Sequence, residues 1–124
     1  LKSKFISIKN VLKGSRVGYD GTWKARSDSI IGILPIGYAD GYLTGMSNKA
    51  YVLVDNQKAP IVGRVSMDLT AVDLTKLKKV NYDSNVVLWG PKLKIDKVAQ
   101  LCGTIPYELM TSVSNRVRKK FVEK

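Results

Sequence analysis

Apolar residues recur along this chain in short runs, many with a period of two, which is the pattern of β-strands. The clearest run covers residues 29–34, which are almost continuously apolar and end at Pro35. Weaker runs cover residues 4–9, 51–54, 59–62, 85–89 and 117–122. Because Asp55 and Asn56 form a typical tight-turn pair between two of these runs, residues 51–62 are predicted to form an antiparallel hairpin.

Residues 64–74 alternate between polar and apolar side chains and predict a further strand. A bulge near residues 66–69 would break its register. Helical spacing occurs only late in the chain, where residues 95–102 place their apolar side chains on one face and Gly103 is a typical stop. A second short helix should follow, with Thr104 as its cap.

Short strands at intervals of roughly ten residues, with helices only at one late position, favour an antiparallel β domain over an alternating β/α sheet. We therefore predict a mainly β fold, an antiparallel Greek-key-like β-barrel domain with one or two short helices near the C-terminal end. A length of 124 residues fits one domain, which we assign to residues 1–124. The long polar loop over residues 37–48 is typical of a functional segment.

The composition restricts the chemistry that the chain can perform. No apolar run approaches the ~20 residues that span a bilayer, so we expect a soluble domain without a membrane partner. The chain has no histidine and a single cysteine, Cys102, which excludes imidazole catalysis, an intrachain disulfide and a cysteine-rich zinc site. Cys102 lies in an apolar pattern and is assigned no role. Proton transfer must therefore use Tyr, Lys, Asp or Glu, and no metal is expected.

The net charge of +11, from 21 basic and 10 acidic residues, would attract nucleic acid or an anionic membrane at low salt. The basic residues are scattered, however, and no recognition-helix or aromatic-interleaved RNA pattern accompanies them. A solvated basic surface is the favoured interpretation, so we expect no nucleic-acid partner. A contact with an acidic segment of another domain or subunit stays open.

Candidate chemistry is concentrated in four short motifs that combine tyrosine, arginine or aspartate with glycine or proline. They are residues 17–23 (VGYDGTW), 36–42 (IGYADGY), 63–68 (GRVSMD) and 104–108 (TIPYE). In this order and approximate spacing they resemble the C-terminal domain of the alanine racemases, and the resemblance covers about residues 2–121. A single motif of this kind would be weak evidence, whereas the ordered set is specific.

The resemblance implies a β domain that completes the active site of a larger enzyme. In this family an N-terminal α/β barrel holds pyridoxal 5′-phosphate on a lysine, and the β domain covers the barrel of the partner subunit in a homodimer. That barrel is absent here, and the chain begins at Leu1 and not at Met, which suggests a piece of something longer. No lysine lies in a setting like the family's attachment motif. The chain alone is expected to be inactive.

Tyr19 matches the catalytic tyrosine of the family. The family's reaction removes the α-proton of an amino acid from one face and returns it to the other, so a lysine and a tyrosine stand on opposite faces. A phenol with a pKa of about 10 needs a nearby cation and a dry pocket to act as a base at neutral pH. Asp20 stands where the family commonly has glycine, and its carboxylate could raise the pKa of Tyr19. A turn tyrosine packed on Trp23 is the alternative.

Met67 resembles the residue whose backbone N–H receives the substrate carboxylate in this family. Arg64 and Asp68 are candidates for groups that fix the strand around it. The alternatives are a core side chain for Met67 and ordinary exposed strand positions for Arg64 and Asp68.

Tyr38 resembles a substrate-binding tyrosine near the same carboxylate, with Asp40 as a supporting group. Tyr107 resembles a tyrosine close to the cofactor phosphate and the pocket mouth. Both tyrosines could instead be half-buried at the rim of an ordinary core. The family often reads Arg-Val-Pro-Arg where residues 116–119 read RVRK, so the resemblance assigns no role to Arg116.

The leading hypothesis is a domain of a pyridoxal-phosphate-dependent alanine racemase that interconverts L- and D-alanine for peptidoglycan synthesis in the bacterial cytoplasm. A related racemase for serine or another small amino acid stays open, because that preference depends on pocket walls drawn partly from the barrel. A basic β-barrel that binds nucleic acid and an assembly domain with a vestigial site are the alternatives from other classes.

Overall fold

A computed structural model describes residues 1–18 and 21–120 of the chain. Its strands, in chain order, are β1 (Lys2–Ser3), β2 (Ser7–Val11), β3 (Arg16–Val17), β4 (Trp23–Lys24), β5 (Ser29–Leu34), β6 (Tyr51–Val54), β7 (Gln57–Pro60), β8 (Thr70–Asp73) and β9 (Val86–Val87). Two α-helices follow, α1 (Ile95–Cys102) and α2 (Pro106–Ser112). Short 3-10 turns at Tyr38–Asp40 and Thr44–Met46 interrupt the long loop between β5 and β6.

The described strands pair antiparallel in three sheets. The first has the order β1-β9-β6-β7, the second has β5 at its centre between β2 and β8, and the third is the hairpin of β3 and β4. The mainly antiparallel β class and the two short late helices are therefore confirmed. Closure of the sheets into one Greek-key barrel stays a prediction.

The hairpin predicted over residues 51–62 is confirmed as β6 and β7. The φ angles of Asp55 and Asn56 are 47° and 68°, as a two-residue type I′ turn requires. Because the turn contains only these two residues, Val54 pairs directly with Gln57, and the second strand begins two residues earlier than predicted.

The predicted strand over residues 64–74 is wrong in its first half, because residues 65–69 form a loop and only β8 pairs as a strand. Ser66 closes this loop. Its amide donates to the carbonyl of Leu69 at 3.0 Å, and its hydroxyl lies 3.1 Å from both the carbonyl oxygen and the amide nitrogen of Leu69. A serine side chain that bonds nearby backbone groups competes with strand pairing. The register is thus interrupted at residues 66–69 by a closed loop and not by the bulge considered from the sequence.

The C-terminal predictions are partly corrected. α1 has the predicted bounds and ends at Gly103, which has a φ of 81°. α2 is capped by the backbone of Ile105 and not by Thr104, whose hydroxyl instead donates to the carboxylate of Glu108 at 2.8 Å. The strand predicted over residues 117–122 does not form in its described part, residues 117–120.

The core lies on both faces of β5, which explains why its sequence is almost continuously apolar. Leu34 faces the larger cluster, which also takes in β6, β8 and both helices, whereas Ile31 faces a smaller cluster with Val62 and Ala71. Cys102 is partly buried and packs against the larger cluster, in agreement with its interpretation as a small hydrophobic residue. Across the described residues, no helix is long and apolar enough to cross a membrane.

Candidate active site

Gly18 and Gly63 bring the first and third motifs into direct backbone contact. Both have positive φ, 87° and 78°, and a Cβ added to Gly18 would lie 2.7 Å from the Cα of Gly63. Because a side chain at either position would collide with the other backbone, the contact requires glycine twice. The residue after Gly18 is Tyr19, which lies with Asp20 outside the described residues. The acid–base role of Tyr19 therefore stays a prediction.

The β3–β4 hairpin fixes the chain on either side of Tyr19. The amide of Gly21 donates to the carbonyl of Gly18 at 3.0 Å, and the guanidinium of Arg16 donates to the carbonyl of Gly21 at 3.0 Å. Gly18 and Gly21, the described residues on either side of Tyr19 and Asp20, are thus hydrogen-bonded to each other.

Asn48 links the first motif to the third, a role that the sequence analysis missed. Its Nδ2 donates to the Thr22 hydroxyl at 3.1 Å, and its Oδ1 accepts the N–H of Gly63 at 2.6 Å. The neighbouring Ser47 hydroxyl accepts the N–H of Val65 at 2.8 Å. Both residues belong to the polar loop before β6, whose composition indicates a functional segment but does not identify which side chains position the other motifs.

The second motif lies along the third through backbone hydrogen bonds. The amides of Tyr38 and Ala39 donate to the carbonyls of Ser66 and Met67, each at 3.0 Å. Gly37 is required beside them, because a Cβ there would overlap both carbonyls. Tyr38 and Met67 are 49% and 53% exposed, which rules out Met67 as a core side chain and places both at the surface of the site.

The carbonyl and the amide of Met67 differ in their hydrogen bonding, and the predicted carboxylate contact of the amide stays a prediction. Its carbonyl accepts a hydrogen bond from Ala39, but among the described residues its N–H has no acceptor. The loop at residues 65–69 borders an open cleft of about 270 Å³, which is lined by Tyr38, Ser66, Met67, Asp68 and Leu69. A backbone N–H without a partner at the edge of a cleft can bind an anionic group of a ligand.

A second cleft of about 300 Å³ shares Ser66 and Leu69 with the first and extends to Gly18. It is lined by Gly18, Ile33, Arg64, Ser66, Leu69 and Ala71. Arg64 therefore lines the same cleft as Gly18, the residue before Tyr19, and as Ser66 and Leu69 of the Met67 loop (residues 65–69). The described residues that line the two clefts include no lysine.

Asp40 and Asp68 meet at one guanidinium, that of Arg116. The Nη2 of Arg116 lies 2.6 Å from Asp68 Oδ1, and its Nε lies 3.4 Å from Asp40 Oδ1. The hydrogen bond to Asp68 raises the pKa of the Arg116 guanidinium, which keeps it charged. No role for Arg116 was predicted, since the family motif is altered two residues after it.

Tyr107 lies apart from the other candidates. It is 69% exposed on the first turn of α2 and is not among the described residues that line either cleft. Its neighbour Glu108 lines a shallow depression of about 600 Å³, to which Tyr38 and Cys102 also contribute. Tyr38 thus lies between the Met67 loop and the helix that carries Tyr107.

Comparison with known proteins distinguishes among the hypotheses. The family model of the alanine racemase C-terminal domain matches residues 1–121. The chain belongs to this family. All of the motifs described above therefore lie within a recognised alanine racemase C-terminal domain.

The relatives of this alanine racemase domain are similar over nearly the whole chain. The alanine racemase of Thermodesulfovibrio yellowstonii is 43% identical over 126 residues, which cover 98% of this chain and 35% of that protein. That of Chromohalobacter salexigens is 45% identical over 121 residues, which cover 98% of this chain and 33% of that protein. The chain thus spans about a third of the length of these two relatives.

Solved alanine racemase structures show the same fold. The biosynthetic alanine racemase from Pseudomonas aeruginosa matches with a TM-score of 0.94 and 41% identity, covering 98% of this chain and 34% of that one. The alanine racemase from Bartonella henselae with covalently bound pyridoxal phosphate matches with a TM-score of 0.93 and 35% identity, again covering 98% of this chain and 34% of that one.

Proposed function

We propose that residues 1–124 are the C-terminal domain of a pyridoxal-phosphate-dependent alanine racemase that interconverts L- and D-alanine. In this proposal the domain contributes to the active site of a partner subunit's N-terminal barrel in a homodimer, and it is inactive alone. The product would serve peptidoglycan synthesis in the bacterial cytoplasm. The observation that supports the proposal most is the convergence of three motifs on the two adjoining clefts through close contacts at Gly18, Gly37 and Gly63.

The cofactor would be held mainly outside this chain. Pyridoxal phosphate, when bound, withdraws the negative charge left on the α-carbon after a proton has departed. The clefts beside Met67 contain no lysine among their described residues, which fits an attachment lysine in the barrel. Tyr107, exposed at the start of α2, is the residue of this chain proposed to contact the cofactor phosphate at the pocket mouth.

Three residues of the chain act on the substrate in this proposal. The N–H of Met67, which has no acceptor among the described residues, and the hydroxyl of the half-exposed Tyr38 bind the substrate carboxylate and orient the α-carbon. Tyr19 then takes up or releases the proton at the α-carbon on one face. A preference for alanine over serine would depend on walls that the barrel also supplies.

The direct test is Tyr19→Phe in a full-length alanine racemase that carries this chain as its C-terminal part. Racemisation should fall by at least the ~10²-fold typical of a positioned acid–base group, while cofactor absorbance stays unchanged. Tyr51→Phe is the matched control, because it removes the same hydroxyl from a ring on β6 that packs under the Lys58 ammonium. The control should keep the wild-type rate.

The same variant gives a sharper result when the two faces are measured separately in deuterated water. With D-alanine, the Tyr19→Phe enzyme should still exchange the α-hydrogen through the cofactor lysine; with L-alanine, exchange should be slowed by about 10²-fold or more. Equal slowing from both enantiomers would show that Tyr19 only shapes the pocket. The nucleic-acid and vestigial-site hypotheses predict no dependence on either enantiomer.

A further inference from the structure

Arg116 connects three segments that are distant in sequence. Its guanidinium contacts Asp68 in the Met67 loop at 2.6 Å. It also contacts Asp40 at 3.4 Å in the 3-10 turn Tyr38–Asp40, the Tyr38 turn. The segment that carries Arg116 is itself fixed to the same turn, because the Ser114 amide donates to the Asp40 carbonyl at 3.0 Å. Gly41 allows this contact, since a Cβ there would overlap the carbonyl of Ser112.

Asp40 determines the shape of the turn that carries Tyr38. It is only 7% exposed, and its Oδ2 accepts the N–H of Gly37 at 2.9 Å across the turn. A buried carboxylate is stable only when it is paired and hydrogen-bonded, and within the described residues Arg116 is the cation that contacts it. Loss of the Arg116 guanidinium would leave Asp40 with its hydrogen bonds but without a countercharge.

Asp68 directly follows Met67, so its position affects the amide of Met67, which has no acceptor among the described residues. The Met67 carbonyl is already fixed by the amide of Ala39 in the Tyr38 turn. The Met67 loop and the Tyr38 turn are therefore joined twice. Backbone hydrogen bonds form the first connection, and the Arg116 guanidinium, which contacts both Asp68 and Asp40, forms the second through side chains. The planar fork of arginine suits this double contact, which the single ammonium of lysine cannot reproduce with the same geometry.

We propose that Arg116 is a positioning residue of the substrate-carboxylate site, which holds Asp40 and Asp68 so that the Met67 amide and the Tyr38 hydroxyl face one carboxylate. This inference rests on the proposed function. The competing account is a surface ion pair that only attaches the segment after α2. The Arg116 and Asp68 side chains are 49% and 56% exposed, and ion pairs of that kind add little to stability.

The test is Arg116→Met in the full-length enzyme defined above. If the guanidinium positions the carboxylate site, kcat/KM should fall by between about 10-fold and about 100-fold, mainly through a higher KM. KM should rise for both L- and D-alanine, because both enantiomers present a carboxylate. Arg116→Lys should recover part of the loss, and Arg118→Met is the matched control, since Arg118 is exposed and makes no ion pair within the described residues.

A double-mutant cycle with Asp68→Asn tests the route of the effect. Asp68→Asn should raise KM in the same direction, and the double variant should lose little beyond the larger single loss, because both changes remove one interaction. Additive losses would overturn the route through Asp68. If Arg116→Met lowers the amount of folded enzyme, Asp68→Asn at an exposed position still reports on KM.

The outcomes separate this inference from the proposed function. An unchanged KM for Arg116→Met, with the one-sided Tyr19→Phe effect intact, overturns the role of Arg116 and leaves the function standing. A lower thermal midpoint with unchanged KM supports the surface ion pair instead. A full-length enzyme that carries the wild-type chain and does not racemise alanine overturns both proposals.

Discussion

The core around β5 and the loops around Met67 are held together by different kinds of contact. In the core, apolar side chains such as Leu34, Val54 and Val98 are fully buried against one another. At the site, Tyr38 and Met67 stay about half exposed, and the loops that carry them are joined through backbone amides and carbonyls.

This difference indicates which substitutions each region should tolerate. In the core, stability comes from buried apolar area. A large-to-small substitution there should therefore lower the free energy of unfolding roughly in proportion to the side-chain volume removed. At the site the order comes from glycines that allow backbones to touch and from charges shared by several loops. A substitution there should alter geometry and kinetics more than stability.

Leu34→Ala should give the largest loss of stability, about 2–5 kcal/mol in the free energy of unfolding, because it leaves a cavity at a fully buried position of β5. The activity per folded molecule should be little changed. Ile30→Ala on the same strand is the control, since Ile30 is 38% exposed. Denaturant titration measures both, and equal losses for the two variants would contradict the assignment of the core.

Gly37→Ala should have the opposite effect, with a large loss of activity and little loss of stability. A methyl group there would push against the carbonyls of Ser66 and Met67 and separate the Tyr38 turn from the Met67 loop. We expect kcat/KM of the full-length enzyme to fall by about 100-fold, as a displacement of about 1 Å in a site can produce. Gly90→Ala is the control, because its Cβ would make an ordinary contact of 3.5 Å with Val87. Wild-type kinetics for Gly37→Ala would contradict the prediction that a methyl group at this position displaces the Met67 loop.

Asp55→Asn should have the smallest effect, and one that depends on pH. Hydrogen bonds from the Ser84 side chain and from the Asn85 amide, the latter at 2.9 Å, lower the pKa of the Asp55 carboxyl. A carboxyl whose pKa is lower in the folded state stabilises the fold above its unfolded pKa, and that contribution is lost as the pH falls through the folded pKa.

The wild type should therefore exceed Asp55→Asn in thermal midpoint by a small, constant amount from pH 7 to pH 5. The difference should begin to shrink near the unfolded pKa of about 4 and vanish only below the folded pKa. Asparagine also accepts the left-handed backbone at this position, so the turn itself is preserved. A difference that stays constant down to pH 2 would assign the effect to packing and not to charge. Kinetics should be unaffected, because Asp55 lies in the β6–β7 turn.

The elements that could be predicted from the sequence are those that side-chain burial determines. β5 and α1 were predicted with their observed bounds, because β5 is an almost continuous apolar run that ends at Pro35 and α1 carries its apolar residues at helical spacing. The loop at residues 65–69 was predicted as a strand, because its polar and apolar residues alternate in the same way while Ser66 bonds the backbone locally.

At the site, residues within the four motifs could be predicted, whereas residues that position the motifs could not. Tyr38, Met67, Asp40 and Asp68 were named from their motifs, and the structure brings all four together. Asn48 and Arg116 were missed, because a side chain that holds a distant backbone or carboxylate leaves no periodic signal in its own segment. The acid–base role of Tyr19 and the cofactor contact of Tyr107 stay predictions.

The bridge made by Arg116 also bears on the order in which this chain can become functional during its synthesis. The partners Asp68 and Arg116 are 48 residues apart, and all three sheets are complete within residues 2–87. A nascent chain can thus begin to pair its strands and bury its apolar residues before the guanidinium has been made. The proposed carboxylate-binding geometry would then be among the last features to form, so an incomplete product would be compact and still lack an ordered site.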